Sequence, residues 1–216
     1  MNDSVRRRGR PARLSQDAIL LVAQEIVESG GIDALTMRAV GERLSSSPMA
    51  IYRHVRDKDE LLLLLLDRVA ATLERPESPA DPRQRLVVLW RFLHDRLAAQ
   101  PWVVGVLAGG DLAGPSILWL VEEMLQAFLA CGLTAAQAGA AYRAVWQYTV
   151  GVLTIRIAMA RTTAELDRPS FQSVMIASVD PGQTPAIAAL AGEWPHAWDN
   201  YELGLNALLD GLMPRS

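Results

Sequence analysis

The sequence predicts an all-α protein, with an N-terminal three-helix unit followed by a larger helical bundle. Three observations carry that expectation. Apolar residues recur at spacings of three and four from the neighbourhood of Ser15 onward, the period of helices that bury one face. Ser, Thr or Asp, followed by proline or by Glu or Gln three residues on, opens these segments as helix N-caps do. From Asp81 onward no stretch alternates apolar and polar residues between turn dipeptides, as strands would. At 216 residues the chain exceeds one small domain, and a head of about seventy residues leaves enough for a second core.

The chain opens with a basic arm, VRRRGRPAR, whose Arg6, Arg7, Arg8 and Arg10 precede Ser15, the expected cap of the first helix. Such an arm can follow a DNA groove; alone in water it is a solvated tail that orders on binding. Thr36 to Asp67 then reads as two short helices about a tight turn, followed by a longer one. Met37, Val40 and Leu44 give the first a buried face. Ser45, Ser46 and Ser47 break the pattern, and Ser47 before Pro48 supplies a cap and a first-turn proline whose missing N–H costs nothing. The next helix, PMAIYRHV over 48–55, buries Ile51 and Val55 and turns Met49, Ala50, Arg53 and His54 outward. Asp57 with Glu60 forms a capping box for a helix that starts near Lys58 and runs through Leu61 to Leu66. This is a helix-turn-helix, and its second helix is the one that meets base edges in a major groove.

The residues TMRAVGERLSSSPMAIYRHVRDKDELL resemble the DNA-binding head of the TetR (tetracycline-repressor-like) transcription regulators. The resemblance implies phosphate contacts at Thr36 and Tyr52 and a backbone contact at Lys58. It implies groove-facing positions at Arg38, Pro48, Met49, Ala50, Arg53 and His54, with Ser47 at their edge. Arginine can fork onto guanine O6 and N7, so Arg38 and Arg53 are the base readers to expect; Met49 and Ala50 can touch only a thymine methyl. His54 has two readings, a DNA contact or a bond to its own scaffold.

Charge divides along the chain. Residues 1–75 hold 12 basic and 11 acidic side chains, and the remainder 9 and 13, so only the N-terminal part suits a polyanion. The single cysteine, Cys131, excludes an internal disulfide and is expected to be buried. No window reaches about eighteen consecutive apolar residues. A cytoplasmic protein without export signal or membrane span is expected.

In the second half, Asp81, Pro82 and Gln84 cap a helix presenting Leu86, Leu89, Trp90, Leu93 and Leu97 before Pro101. Pro115 opens another that ends at Gly132, and Thr134 with Gln137 caps a long helix to about Arg161. Residues 162–184 lack a period and carry proline and glycine breaks, so a loop or lid is expected. A terminal helix from Ala197 places Tyr201, Leu205, Leu208, Leu209 and Leu212 on one face, with Gly204 and Ala207 permitting close approach. The expected organisation is an arm at 1–14, the helix-turn-helix at 15–60, a connecting helix at 61–78 and a ligand-binding and dimerisation domain at 79–216.

This half, notably GLTAAQAGAAYRAVWQYTVGVL and YELGLNALLDGL, is similar to the C-terminal domain of the tetracycline-repressor subgroup. That likeness implies a homodimer through the long and terminal helices and a small molecule bound inside the bundle. All six tryptophans lie in this half. Most fill a core, but Trp90, His94, Trp102, Met124, Trp146 and Gln147 lie on neighbouring expected helices and mix apolar surface with a few polar handles, so they are the ligand-site candidates. Where the subgroup's magnesium-drug site uses histidine and glutamate, PWVVGVLAGG has no histidine and Ile155 occupies the glutamate position. No metal and no cofactor are therefore expected. The reading that follows is a DNA-binding regulator, a repressor released from a palindromic operator by a mostly apolar effector. Its alternatives are a regulator controlled by a partner protein, or an all-helical enzyme, against which stands the lack of any G-x-S-x-G, phosphate loop or metal-spaced cluster.

Overall fold

The computed structural model describes residues 14–109, 112–166, 171–192 and 200–214, and among them every regular element is helical. Helix α1, Gln16–Ala34, is capped by Ser15, whose hydroxyl accepts from Ala18 N at 3.2 Å. Helices α2, Met37–Arg43, and α3, Pro48–Ile51, follow, with Thr36 and Ser47 as caps. Helix α3 is shorter than the expected 48–55. Beyond Ile51 the chain tightens into turns, Arg53 N bonding Ala50 O and His54 N bonding Ile51 O, although Val55 still packs inward as expected.

Helix α4, Lys58–Ala71, starts on Asp57, whose carboxylate accepts from Glu60 N at 2.8 Å. That backbone bond, with Arg56 beside it, holds the Asp57 carboxyl below the usual carboxylate range. Glu60 reaches back as a capping-box partner does, but to the N–H of Arg56, one residue before the cap. The helix closes at Ala71, so residues 72–78, expected as the end of the connecting helix, are not helical; Pro76 and Pro79 keep this segment from continuing the spiral.

The bundle comprises α5, Pro82–Ala98; α6, Pro101–Ala108; α7, Leu118–Ala130, entered through a 3-10 turn at Pro115–Ile117; and α8, Ala135–Leu166. It continues with α9, Phe171–Ala177, α10, Pro185–Leu190, and α11, Tyr201–Leu212. The caps read from sequence are present: Asp81 accepts from Gln84 N at 2.7 Å, and Thr134 and Gln137 bond each other reciprocally at the start of α8. Helix α7 ends in a Schellman turn, Leu133 N reaching Phe128 O and Gly132 N reaching Leu129 O, with Gly132 at φ +90°.

Two expectations are corrected and one helix is added. Among the described residues, 162–184 are not one loop: α8 runs five residues past Arg161 to Leu166 and α9 covers Phe171–Ala177, with turns only over 178–184. Their sequence hides this because the helices are too short to show a period. The apolar run at Pro101 forms α6, which went unassigned because it is apolar on nearly every side. Cys131 is half-buried rather than buried, and desolvation raises its thiol pKa. The terminal helix begins at Tyr201; Ala197 and Trp198, expected to open it, lie outside the described residues, as do Trp194 and His196.

One continuous core joins the two halves, from Ile19 and Leu20 in α1, through Leu61, Leu62, Leu65 and Leu66 in α4, to Leu205 and Leu209 in α11. Helix α5 packs on α7, α8 and α11, and α6 packs on both α8 and α1. Leu86, Leu89, Trp90, Leu93 and Leu97 are buried as their spacing demanded. On α11 the fully covered positions are Tyr201, Leu205 and Leu209, while Leu208 and Leu212 are partly covered.

Gly204 meets the close approach expected of it. A Cβ there would lie 2.0 Å from the Tyr148 hydroxyl, which donates to Tyr201 O at 3.2 Å, with the two rings stacked at 5.5 Å. Tyr201 in turn shares a 2.9 Å bond with Thr149 and stacks on His94 at 4.0 Å. Burial raises the Tyr201 pKa strongly, so its hydroxyl stays protonated. Gly204→Ala must displace the Tyr148 ring and should cost about 1–3 kcal/mol in urea unfolding. Pairing it with Tyr148→Ala should recover part of that loss relative to the sum of the single changes.

Candidate functional site

The N-terminal face is built on the turn between α2 and α3. Ser46 N bonds Gly41 O at 2.8 Å and Ser45 N bonds Glu42 O at 3.2 Å, which makes the turn a Schellman motif with Ser45 in the left-handed region at φ +50°. Gly41 is buried, and a Cβ on it would stand 2.8 Å from Ser46 O. Backbone therefore lies against backbone at this point, and no side chain fits between. Gly41 was not singled out from sequence, although a glycine inside a helix, five residues before a second serine, marks such a turn.

The turn presents α3 outward. Pro48, Met49, Tyr52, Arg53 and His54 are exposed, Met49 at 70% and Tyr52 at 48%, and Ala50 is partly covered. Beneath them Ile51 and Val55 are buried and anchor the segment. The side chains of Arg53 and His54 have no hydrogen-bond or ionic partner among the described residues, so both are free to engage a ligand surface. Arg38, also exposed, is held by Glu42 at 2.8 Å, and that hydrogen bond and charge raise its pKa. Ser47 and Thr36 spend their oxygens as caps, accepting from Ala50 N and Ala39 N, yet each hydroxyl proton remains available to a phosphate. Lys58 is half-buried and donates to Ile32 O at 3.0 Å, which fixes its ammonium at the end of α1 with two protons to spare. Arg6, Arg7, Arg8 and Arg10 lie outside the described residues.

Behind this face, the bundle encloses a cavity of about 330 Å³, toward the small end of the range for ligand pockets. Helix α4 forms one wall with Leu66, Val69 and Ala70. Leu93 and Leu97 of α5, Val103 and Leu107 of α6, and Leu120 and Met124 of α7 form others, and α8 contributes Tyr142 and Trp146. The polar side chains lining it are Arg96, Gln100, Arg143 and, through its hydroxyl, Tyr142.

Of the residues singled out from sequence, the structure brings Met124 and Trp146 to this cavity. Trp90 is fully buried beside it against the Tyr142 ring, 5.4 Å between centroids, and Trp102 is buried with its indole N–H on Gln100 Oε1 at 3.0 Å. Neither lines the cavity, and Gln147 is exposed on the outside of α8. His94 faces a separate cleft of about 310 Å³ with Arg91, Asp95, Asn200, Tyr201 and Glu202, its Nδ1 2.9 Å from Asp95. Sequence reasoning favoured large aromatics, whereas the polar lining comes from Arg96 and Gln100, which continue the three-to-four spacing of Leu93 and Leu97 along the same face.

The head and cavity are tied by Asp67, near the end of α4. Its Oδ1 accepts from Ser116 N at 2.7 Å, and Gly114 packs so closely that a Cβ there would lie 2.7 Å from Asp67 Cβ. One helix thus belongs to the core of the head at one end and to the cavity wall at the other.

A helix-turn-helix head whose last helix runs on into the wall of an apolar chamber defines a DNA-binding transcription regulator. Residues 19–65 match the family model of bacterial regulatory proteins of the TetR family, and residues 75–215 match that of the tetracyclin repressor-like C-terminal domain. The chain belongs to the TetR family. It is 30% identical to the transcriptional repressor DrrR1 of Streptomyces coeruleorubidus over 95% of this chain and 79% of that protein. It is 27% identical to the class A tetracycline repressor from transposon 1721 of Escherichia coli, over 94% and 92% of the two chains. Among solved structures, ActR of Streptomyces coelicolor in complex with (S)-DNPA superposes with a TM-score of 0.75 at 25% identity, covering 93% of this chain and 98% of that one.

Two outcomes are expected of this face. Ser45→Gly removes a left-handed Cβ penalty and should raise stability by about 0.5–1 kcal/mol in denaturant unfolding, with DNA affinity unchanged. Arg53→Ala should weaken operator binding by about 1–3 kcal/mol while leaving non-specific affinity nearly intact, as read by mobility shift with and without competitor DNA.

Proposed function

We propose that the chain is a dimeric repressor that reads a palindromic operator and releases it when a mostly apolar small molecule enters the bundle cavity. The observation that carries this reading is the double membership of α4, which lies along α1 from Lys58, on Ile32 O, to Arg68, paired with Asp17 at 3.6 Å, and lines the cavity through Leu66, Val69 and Ala70. A ligand that fits the cavity better in one orientation of α4 biases the orientation of the head. The Asp67 bond to Ser116 couples α4 to the loop that enters α7, so that wall and lever move together.

Arg38, Arg53 and His54 are assigned to base edges, with Met49 and Ala50 shaping the fit. Thr36, Ser47, Tyr52 and Lys58 are assigned to phosphates. The arm at 1–14 adds a groove contact, 15–60 form the reading head, 61–78 the connection and 79–216 the ligand-binding and dimerisation part. Dimerisation is supported by α8 and α11, where Ile155 is 49% and Leu203 70% exposed and Gly139, Gly151 and Gly211 have open space before them. A short recognition helix reads few bases, and a two-fold pair doubles its contacts. A cytoplasmic location accords with this role, and among the described residues no helix is long and apolar enough to cross a membrane. Named relatives also support the sign of regulation, being repressors, and the (S)-DNPA complex of ActR supports a small-molecule effector.

The test is a mobility shift with DNA flanking the chain's own gene, followed by screening apolar compounds for release. A competitor-resistant complex that such a compound dissolves is the expected result; a folded protein that binds none of this DNA at low salt sinks the reading. Asp67→Ala should keep operator affinity within about threefold and blunt compound-driven release by about tenfold or more, since it cuts the coupling and leaves the reading face untouched.

A further inference from the structure

We infer that the cavity selects a molecule with an apolar body and one anionic group, a carboxylate, sulfonate or acidic phenol, held at the margin by Arg96 and Arg143. This rests on the ligand-cavity reading above and adds the charge of the ligand to it. No acidic side chain lines the cavity. Its two charged lining residues are both cationic, and neither guanidinium has a carboxylate within salt-bridge distance among the described residues. The acids that neighbour lining residues in sequence have other partners: Glu123 pairs with Arg75, Glu122 accepts from Gln126, and Asp95 is bound to His94. Arg96 rests over the Phe92 ring at 5.2 Å, which positions its stem without using its N–H groups on an acceptor.

Gln100 strengthens the same polarity. Its Oε1 accepts from the buried Trp102 indole at 3.0 Å, so the amide offers its NH₂. The polar edge of an otherwise apolar chamber is therefore rich in donors and poor in acceptors, and the complementary ligand brings acceptors and negative charge. Both arginines are exposed, so each acts through a solvated contact at the margin.

A matched pair of fluorescent probes separates charge from apolar burial: 8-anilinonaphthalene-1-sulfonate and its uncharged parent N-phenyl-1-naphthylamine. Both are titrated into the full chain, into Arg96→Gln with Arg143→Gln, into Arg43→Gln with Arg56→Gln as a charge-matched control in the head, and into Val121→Trp, which fills the cavity. The expected result is that both probes lose binding in Val121→Trp, and that the double variant weakens the sulfonate about tenfold while the neutral probe and the control change less than about twofold. If both probes bind in the cavity but the double variant affects them equally, the anion preference is wrong and the ligand cavity stands. If Val121→Trp, shown folded by circular dichroism, leaves both probes unaffected, or neither probe binds, the cavity reading fails and takes the inference with it.

Discussion

The structure depends on one helix being buried at both ends by different neighbours. Leucines at 61, 62, 65 and 66 bring α4 into the continuous core, and each such side chain contributes roughly 1.5–3 kcal/mol when removed from water. A leucine run of this length is wasteful for a helix that packs on one side only. It suits a helix that lies along the head from Lys58 to Arg68 and also meets the bundle cavity from Leu66 onward. The sharp start at Asp57 and the stop at Ala71 give this helix a fixed length, and the Asp67 contact with the Gly114–Ser116 segment fixes its far end.

Around that helix the two functional regions differ in how they are held. The reading face sits on short pieces anchored by two buried aliphatic residues, Ile51 and Val55, and by backbone bonds in the turn. The chamber is formed by long helices whose side chains stop short of filling the space between them. Packing this loose is costly for a core and serves a ligand site, where lost contacts are restored on binding.

The fold was legible in sequence wherever a cap, a proline or a long apolar period announced an element. Ser15, Ser47, Asp57, Asp81 and Thr134 all precede helices, and each accepts the backbone bond of an N-cap that its position implied. Legibility failed where period carries no information: α6 is apolar all round, and α9 and α10 are shorter than two turns of clear pattern. The reading face was legible because exposure follows from helical phase once Ile51 and Val55 are known to be inside. Only part of the chamber was. Met124 and Trp146 reach it, but aromatic size is a poor guide to cavity lining, since large rings such as Trp90 are what close-packed regions absorb first. Arg96 and Gln100 could have been found by extending the Leu93–Leu97 stripe one turn.

The closed turn between α2 and α3 has a mechanical meaning. With Gly41 lying directly against the carbonyl of Ser46, the angle between the two short helices cannot be adjusted without breaking backbone hydrogen bonds. The reading helix is thus a fixed tooth on a rigid head, and its shape is not what a signal from the bundle adjusts. In the proposed dimer, what remains variable is where the whole head stands relative to its twin. Control in such a molecule is a matter of gauge, the distance between two unaltered teeth measured against the pitch of the double helix.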